Sequence, residues 1–392
     1  MNKSILMKFA IESRNTLMKS IDTTLMAMGF TADIIPASRQ SGDKVFVNEK
    51  EYSKVQYDDL LARYKELGYE QLKESMAYTW FNRFVALRFM EANEYINEKI
   101  ITSSTSKIEP DLVSSFRDAS FYDNLSSTEK DYLLQLKDAD NVETLYAKLV
   151  IYKCNELNKT LPFMFEKMGD YTELLFPSNL ITKGSFLESL REAIYREGEE
   201  PIDVEIIGWL YQYYNSEKKQ VVEKELKNIK GRKVQKDDLP AKTQLFTPKW
   251  IVKYMVENSL GNLLLESTEG LNYDKLLDLK KDWKYYIDQE ITKSELMPLE
   301  EIKLIDPCMG SGHILVYAFD FLYKVYEAFG YSERDIVRYI LEKNLYGLEI
   351  DDRATQLAQF ALMMKAREKY KRLFRILEND PIRLNTYAIQ ES

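Results

Sequence analysis

Cysteine and histidine are nearly missing from this chain of 392 residues: Cys154, Cys308 and His313 are all it has. Two cysteines far apart in sequence make no disulfide framework, and with one histidine no Cys/His zinc cluster can be assembled. A Ser-His-Asp hydrolase is equally poorly served. Long apolar runs are missing too: no stretch of about 18 uncharged apolar residues exists to span a bilayer. The opening MNKSILMKFAIESR is broken by Lys8 and Glu12, so it lacks the h-region of a secretory signal. The expectation is a cytoplasmic protein without a membrane partner. Basic excess is the third absence. Lys and Arg number 54 against 63 Asp and Glu, a net charge of -9, whereas a surface that tracks phosphates usually carries surplus positive charge.

What is present is a globular balance, 45% hydrophobic and 30% charged, with enough length for two or three domains and a large core. No internal repeat or low-complexity tract suggests a solenoid. Residues 1–215 read as a mainly helical domain. Leu17, Ile21 and Leu25 recur at i+4 before Gly29 supplies a stop. Over Gln71–Tyr95, Leu72, Met76, Trp80, Phe84 and Leu87 recur at three- and four-residue intervals beside Phe81, Val85 and Phe89, a face wide enough for deep burial. Aromatics at helical spacing are read as packing rather than as stacking platforms for bases.

Residues 216–242, rich in Lys and Arg over 216–236 and broken by Pro240, read as a charged linker. It is either a solvated helix end or loop, the favoured reading, or a phosphate-contacting arm. A second domain, 243–392, opens on TQLFTPKWIVKYMVENSLG, where Pro248 suits a first helical turn after Thr247 and Ile251, Val252, Met255 and Val256 form an apolar stripe. Residues 263–300 look charged and irregular.

The chemistry is concentrated after that. In EIKLIDPCMGSGHILVYAFDFLYKVYEAF a short strand, Ile302–Ile305, runs into a turn, Asp306–Gly312, and then a helix with Ile314, Leu315, Ala318, Phe319 and Leu322 inward. Gly310 can take backbone angles closed to other residues, and Gly312 leaves room for a ligand where a helix begins. Asp306 at the strand end would repel a pyrophosphate but attract an ammonium group, which favours a cationic cofactor. In NLYGLEIDDRATQLAQFALMMK, Leu345–Ile350 looks like the next parallel strand. Glu349 ends it where doubly wound folds accept hydrogen bonds from ribose hydroxyls, Ile350 is placed to lie against a purine ring, and Asp351 and Asp352 open the following helix. His313 is read as a packing or capping residue. A nicotinamide dehydrogenase would need a G-x-G-x-x-G turn and an acidic residue about 20 positions on, and neither spacing occurs.

DPCMGSG resembles motif I, LYGLEID motif II and FTP motif X of the adenine-specific DNA methyltransferases. The order X, I, II is that of the gamma class, and the fit is similar to its Eco57I-like branch, especially the methyltransferases of BREX phage-defence systems. The stretches AYTWFNRFVALRFMEANEYI and EIIGWLYQYYNSEKK are similar to the front region of that family. The resemblance implies a helical domain followed by an incomplete α/β Rossmann-like fold that binds S-adenosyl-L-methionine (AdoMet). In it Asp306 holds the methionine ammonium, Pro307, Gly310, Ser311 and Gly312 line the methionine part, and Thr247 holds its carboxylate. Glu349 binds the ribose, Ile350 lies by the adenine, and Asp351 is a weaker candidate that could be only a helix cap. No catalytic residue and no metal ligand is assigned.

The family's catalytic Asn-Pro-Pro-aromatic loop, which holds a flipped base, has no counterpart in this sequence. The nearest string, Asn379-Asp380-Pro381-Ile382, lacks the paired proline and the aromatic and reads as a loop. The expectation is therefore the AdoMet-binding front part of an adenine methyltransferase, inactive alone. Its double-stranded DNA contacts would lie mainly outside this chain, and its partners would be a carboxyl-terminal methyltransferase fragment or other defence proteins. The competing expectation is a non-enzymatic AdoMet-sensing or partner-docking module.

Overall fold

Leu6, Phe9, Leu17, Ile21 and Leu25 form one buried stripe along α1 (Lys3–Ala27), and the chain leaves that helix through Gly29, whose φ of +88° suits glycine. The computed structural model describes residues 3–105, 107–166, 170–196, 198, 200–229, 232–235, 238–239, 242 and 247–389. The chain divides into two units, Met1–Ile202 and Asp203–Ser392. In the first, β1 (Arg39–Ser41), β2 (Lys44–Val47) and β3 (Lys50–Ser53) make a small antiparallel sheet before α2 (Lys54–Leu67) and α3 (Tyr69–Ala92). Helix α3 is buried on nearly every side in its second half, with Trp80, Phe84 and Leu87 at 0% exposure. Trp80 meets Phe176 edge-on at 4.5 Å between ring centroids, a favourable quadrupolar arrangement. These aromatics are core. Around them lie α4 (Asp111–Ser115), α5 (Ser127–Asp138), α6 (Val142–Leu157), α7 (Tyr171–Leu174) and α8 (Phe186–Ala193). Ser126 and Glu129 close a reciprocal capping box at the start of α5.

The second unit begins with α9 (Glu205–Tyr214) and α10 (Ser216–Asn228). The stretch expected as a linker is thus helical over its first half, because its Lys, Glu and Leu are good helix formers with one buried anchor, Val222. Helix α11 (Lys249–Ser267) follows Pro248, which occupies the N-cap position without a side-chain cap. Its buried stripe is Val252, Val256, Leu260 and Leu264, whereas Met255, expected in the stripe, is exposed. The i+4 row that continues furthest along the helix is the one that buries. The supposedly irregular 263–300 contains the end of α11 and all of α12 (Gly270–Lys280), whose buried residue is Leu276. Gly261 lies so close to Trp283 that an added Cβ would sit 2.9 Å from its ring.

The sheet of this unit is parallel, in the order β4 (Leu304–Asp306), β5 (Leu345–Glu349), β6 (Asn385–Ala388). Helices α13 (His313–Phe329) and α14 (Glu333–Tyr339), followed by a π turn over Ile340–Asn344, connect β4 to β5. Helices α15 (Asp352–Lys369) and α16 (Leu373–Leu377) connect β5 to β6. Parallel strands require such crossovers. Leu304 pairs with Leu345, Asp306 with Gly347 and Glu349 with Ala388, so β5 and β6 end level and β5 runs two residues past the end of β4. The buried Asn344 fixes the entry to β5: it accepts from the Tyr326 hydroxyl at 2.9 Å and donates to the Leu299 and Ile302 carbonyls at 2.7 Å each. Among the described residues no helix is long and apolar enough to cross a membrane, and no group of three or more His, Cys, Asp or Glu could hold a metal ion.

Candidate functional site

Asp306 is the last residue of β4 and only 8% exposed. One carboxylate oxygen, Oδ1, accepts the Cys308 N–H at 3.1 Å, while Oδ2 is buried and has no hydrogen-bond partner among the described residues. Burial pushes its pKa up, the Cys308 N–H opposes this, and the nearby Glu349 charge adds to the rise. The turn that follows is anchored by Met309. Its N–H bonds the Leu348 carbonyl at 3.0 Å, and its sulfur reaches over β5 so closely that a Cβ on Gly347 would collide with it. Gly310, at φ +54°, has nothing within 4 Å of where a Cβ would be, and its N–H donates to Glu349 Oε2 at 2.7 Å.

Glu349 ends β5. Its Oε1 accepts the N–H groups of Ile350 at 2.9 Å and Asp351 at 3.1 Å, and its Oε2 accepts Gly310. A carboxylate oxygen takes about two hydrogen bonds, so Oε1 is filled and Oε2 retains one acceptor position. Asp351 is occupied as a cap: Oδ1 accepts the Arg353 N–H at 3.0 Å and Oδ2 the Tyr211 hydroxyl at 2.6 Å.

The carboxyl ends of β4 and β5 open on a cavity of about 410 Å³, within the range of small-molecule sites. Of the nine residues singled out from the sequence, Thr247, Asp306, Pro307, Gly310, Ser311, Glu349 and Ile350 line it together. Gly312 and Asp351 do not. Gly312 (φ +82°) is bare for another reason, since a Cβ there would lie 2.9 Å from Ala358 Cβ and 3.1 Å from its Cα, at the approach of α13 to α15. Of the FTP string, Phe246 lies outside the described residues. His313, the first residue of α13, also lines the cavity. Its Nε2 is 3.7 Å from Glu205, and burial lowers its pKa against the raising effects of Glu205 and a hydrogen bond with the Thr247 backbone. The imidazole is neutral near pH 7.

Sequence reasoning missed one wall. Gly208, Tyr211 and Gln212 of α9 face the cavity, with Leu239, Ile314 and Ile389 completing it. Residues at i, i+3 and i+4 share a helix face, and the available signal was a glycine and a glutamine on one face of EIIGWLYQYY. Among the described residues, Asp306 Oδ2 and Gln212 Oε1 are buried acceptor atoms of residues lining this cavity that have no hydrogen-bond partner.

Asp306 and Glu349 thus flank a glycine turn at the carboxyl ends of adjacent parallel strands, the crevice where open α/β sheets accept ligands. Residues 278–383, which contain both carboxylates and the turn, match the N-6 DNA Methylase family. Across 96% of its length the chain is 37% identical to "Adenine-specific methyltransferase PglX" of Lacticaseibacillus casei (strain Zhang), and across 100% it is 36% identical to "Adenine-specific methyltransferase BrxX" of Escherichia coli O9:H4 (strain HS). A "Putative type II restriction enzyme and methyltransferase" of Methanocaldococcus jannaschii is 23% identical over 74% of the chain. The chain is thus similar to these two adenine-specific methyltransferases over nearly all of its own length, and it spans about a third of the length of each.

Proposed function

We propose that the chain binds AdoMet in the cavity at the ends of β4 and β5, on a Rossmann-like sheet, as the cofactor-holding part of a site-specific DNA adenine-N6 methyltransferase of a cytoplasmic phage-defence system. The observation that carries the reading is Asp306 Oδ2, a buried carboxylate oxygen with no partner among the described residues beside a second carboxylate. Such a site is costly until a cation fills it, and the ammonium group of a methionine moiety does so with donors for both oxygens.

Thr247 is positioned for the methionine carboxylate, with Pro307, Gly310 and Ser311 along the chain and Gly312 shaping the turn behind them. Glu349 Oε2 has its remaining acceptor position for a ribose hydroxyl, and the half-exposed Ile350 lies by the purine. When bound, AdoMet supplies a methyl group on a positively charged sulfur. The work of these residues is orientation: they hold the nucleoside and amino-acid ends so that the sulfonium is presented at a fixed place. The Asn-Pro-Pro-aromatic loop that would orient the acceptor adenine of double-stranded DNA is not in this sequence, and no residue here is given that role. Defence-system proteins or a further methyltransferase segment are the partners that this division of labour calls for.

Calorimetry with AdoMet and with NAD tests the cofactor. Wild-type protein should bind AdoMet and not NAD, and Asp306→Asn should lose at least tenfold in affinity. AdoMet binding unchanged by that substitution, or a preference for NAD, would sink the proposal. Adenine methylation by the full-length protein, abolished by the same change, tests the activity.

A further inference from the structure

Resting on the cofactor reading above, we infer that Gln212 is a specificity-determining residue: through Oε1 it accepts a hydrogen bond from the exocyclic amino group of the ligand's purine, and so selects a 6-aminopurine nucleoside. The placement comes from the course of α9 across the cavity. At its first residue, Glu205 lies 3.7 Å from His313 Nε2 and 3.4 Å from Lys249 Nζ, beside the start of α13 and Thr247. Near its end, the Tyr211 hydroxyl donates to Asp351 at 2.6 Å, immediately beyond Glu349 and Ile350. From Glu205 to Gln212 the helix advances about 10 Å. It therefore runs from the amino-acid end of the cavity to its nucleoside end, and Gln212 belongs to the latter.

Gln212 lines the cavity on the same face as Gly208 and Tyr211, and its Oε1 is buried with no partner among the described residues. Apolar side chains line this end: Ile350 follows Glu349, and Ile389 donates its backbone N–H to the Glu349 carbonyl at 2.7 Å. A buried carbonyl oxygen in an apolar setting is satisfied by a ligand N–H. Glu349 is already engaged by three backbone N–H groups and Asp351 by Tyr211 and Arg353. Asp351 does not line the cavity, so among the described lining side chains at the nucleoside end Gln212 Oε1 is a buried acceptor without a partner, beside the one position left on Glu349 Oε2.

The test compares S-adenosylhomocysteine with its 6-deamino analogue, in which hydrogen replaces the amino group, by calorimetry on the whole chain. A 6-oxo analogue is a poorer probe, because a glutamine amide can turn over and donate to it. Wild-type protein should prefer the amino form by about tenfold or more. Gln212→Met, of similar shape, should bind both ligands equally and the deamino form as tightly as wild type does. Gln212→Glu keeps an acceptor and should keep the preference, which separates the hydrogen bond from any packing effect. A preference that survives in Gln212→Met, or wild-type protein that binds the two ligands equally, overturns the inference while leaving AdoMet binding intact. Wild-type protein that binds neither ligand overturns the cofactor reading and this inference with it.

Discussion

Asp306 carries opposing demands. Its raised pKa means that the folded protein holds the proton more tightly than the unfolded chain does, so this group's contribution to stability falls as pH rises from its ordinary value through the raised one. At neutral pH the ionised, partly unsatisfied carboxylate is a cost. Asp306→Asn should therefore raise the stability of the ligand-free protein at pH 7 by about 1 kcal/mol, seen as a higher melting temperature, while it weakens AdoMet binding. The pH dependence runs the other way for the ligand. Binding of an ammonium group needs the ionised form, so affinity should drop on acidification beginning above the usual aspartate range, and the Asn variant should lack that drop. A titration of affinity that is flat from pH 4 to 7 in both proteins would contradict this assignment.

Among elements, the glycine turn and the helix that faces it respond to different rules. Gly310 and Gly312 both have positive φ, at +54° and +82°, yet a methyl group has different surroundings at each. Gly312→Ala forces a Cβ against the Ala358 backbone at 3.1 Å; adding left-handed strain to overpacking, it should destabilise the unit by about 2–4 kcal/mol, read as a shifted urea midpoint. Gly310→Ala meets open space, so it should cost only about 1–2 kcal/mol of stability and act mainly by narrowing the cavity, with a larger loss in AdoMet affinity than in folding. The turn was legible in the sequence because strand, Asp, glycines and helix follow one another without interruption. So was the meeting of Asp306 and Glu349 at one cavity, since both sit at the carboxyl ends of neighbouring parallel strands, although Glu349 lies two residues beyond the level of Asp306. Helix α9 was not legible as part of the site. A wall that packs against a ligand and one that packs against protein bury the same residue types at the same spacing, and EIIGWLYQYY reads as core either way. For the charged stretch the sequence left a solvated helix end and a loop side by side for a related reason: Lys and Glu signal solvent exposure and helix propensity together, and charge count alone does not separate them.

For the molecule as a whole, the scarcity of cysteine becomes useful. Cys154 is fully buried, with its thiol pushed up to about 11 by desolvation, while Cys308 is exposed on the cavity wall. Native protein should react with one equivalent of a thiol reagent and denatured protein with two, since these are the only cysteines. AdoMet or S-adenosylhomocysteine should slow the native reaction, and modification that proceeds at the same rate with saturating ligand would place the ligand elsewhere. The tie between the Tyr211 hydroxyl and Asp351, 2.6 Å long, has a kinetic meaning at this scale. It joins the end of α9 to the residue just beyond Glu349 and Ile350, beside the proposed nucleoside end of the cavity. Tyr211→Phe should accelerate association and dissociation of AdoMet alike in stopped-flow measurements with little change in their ratio, so that the residence time of the proposed ligand would hang on one phenol oxygen.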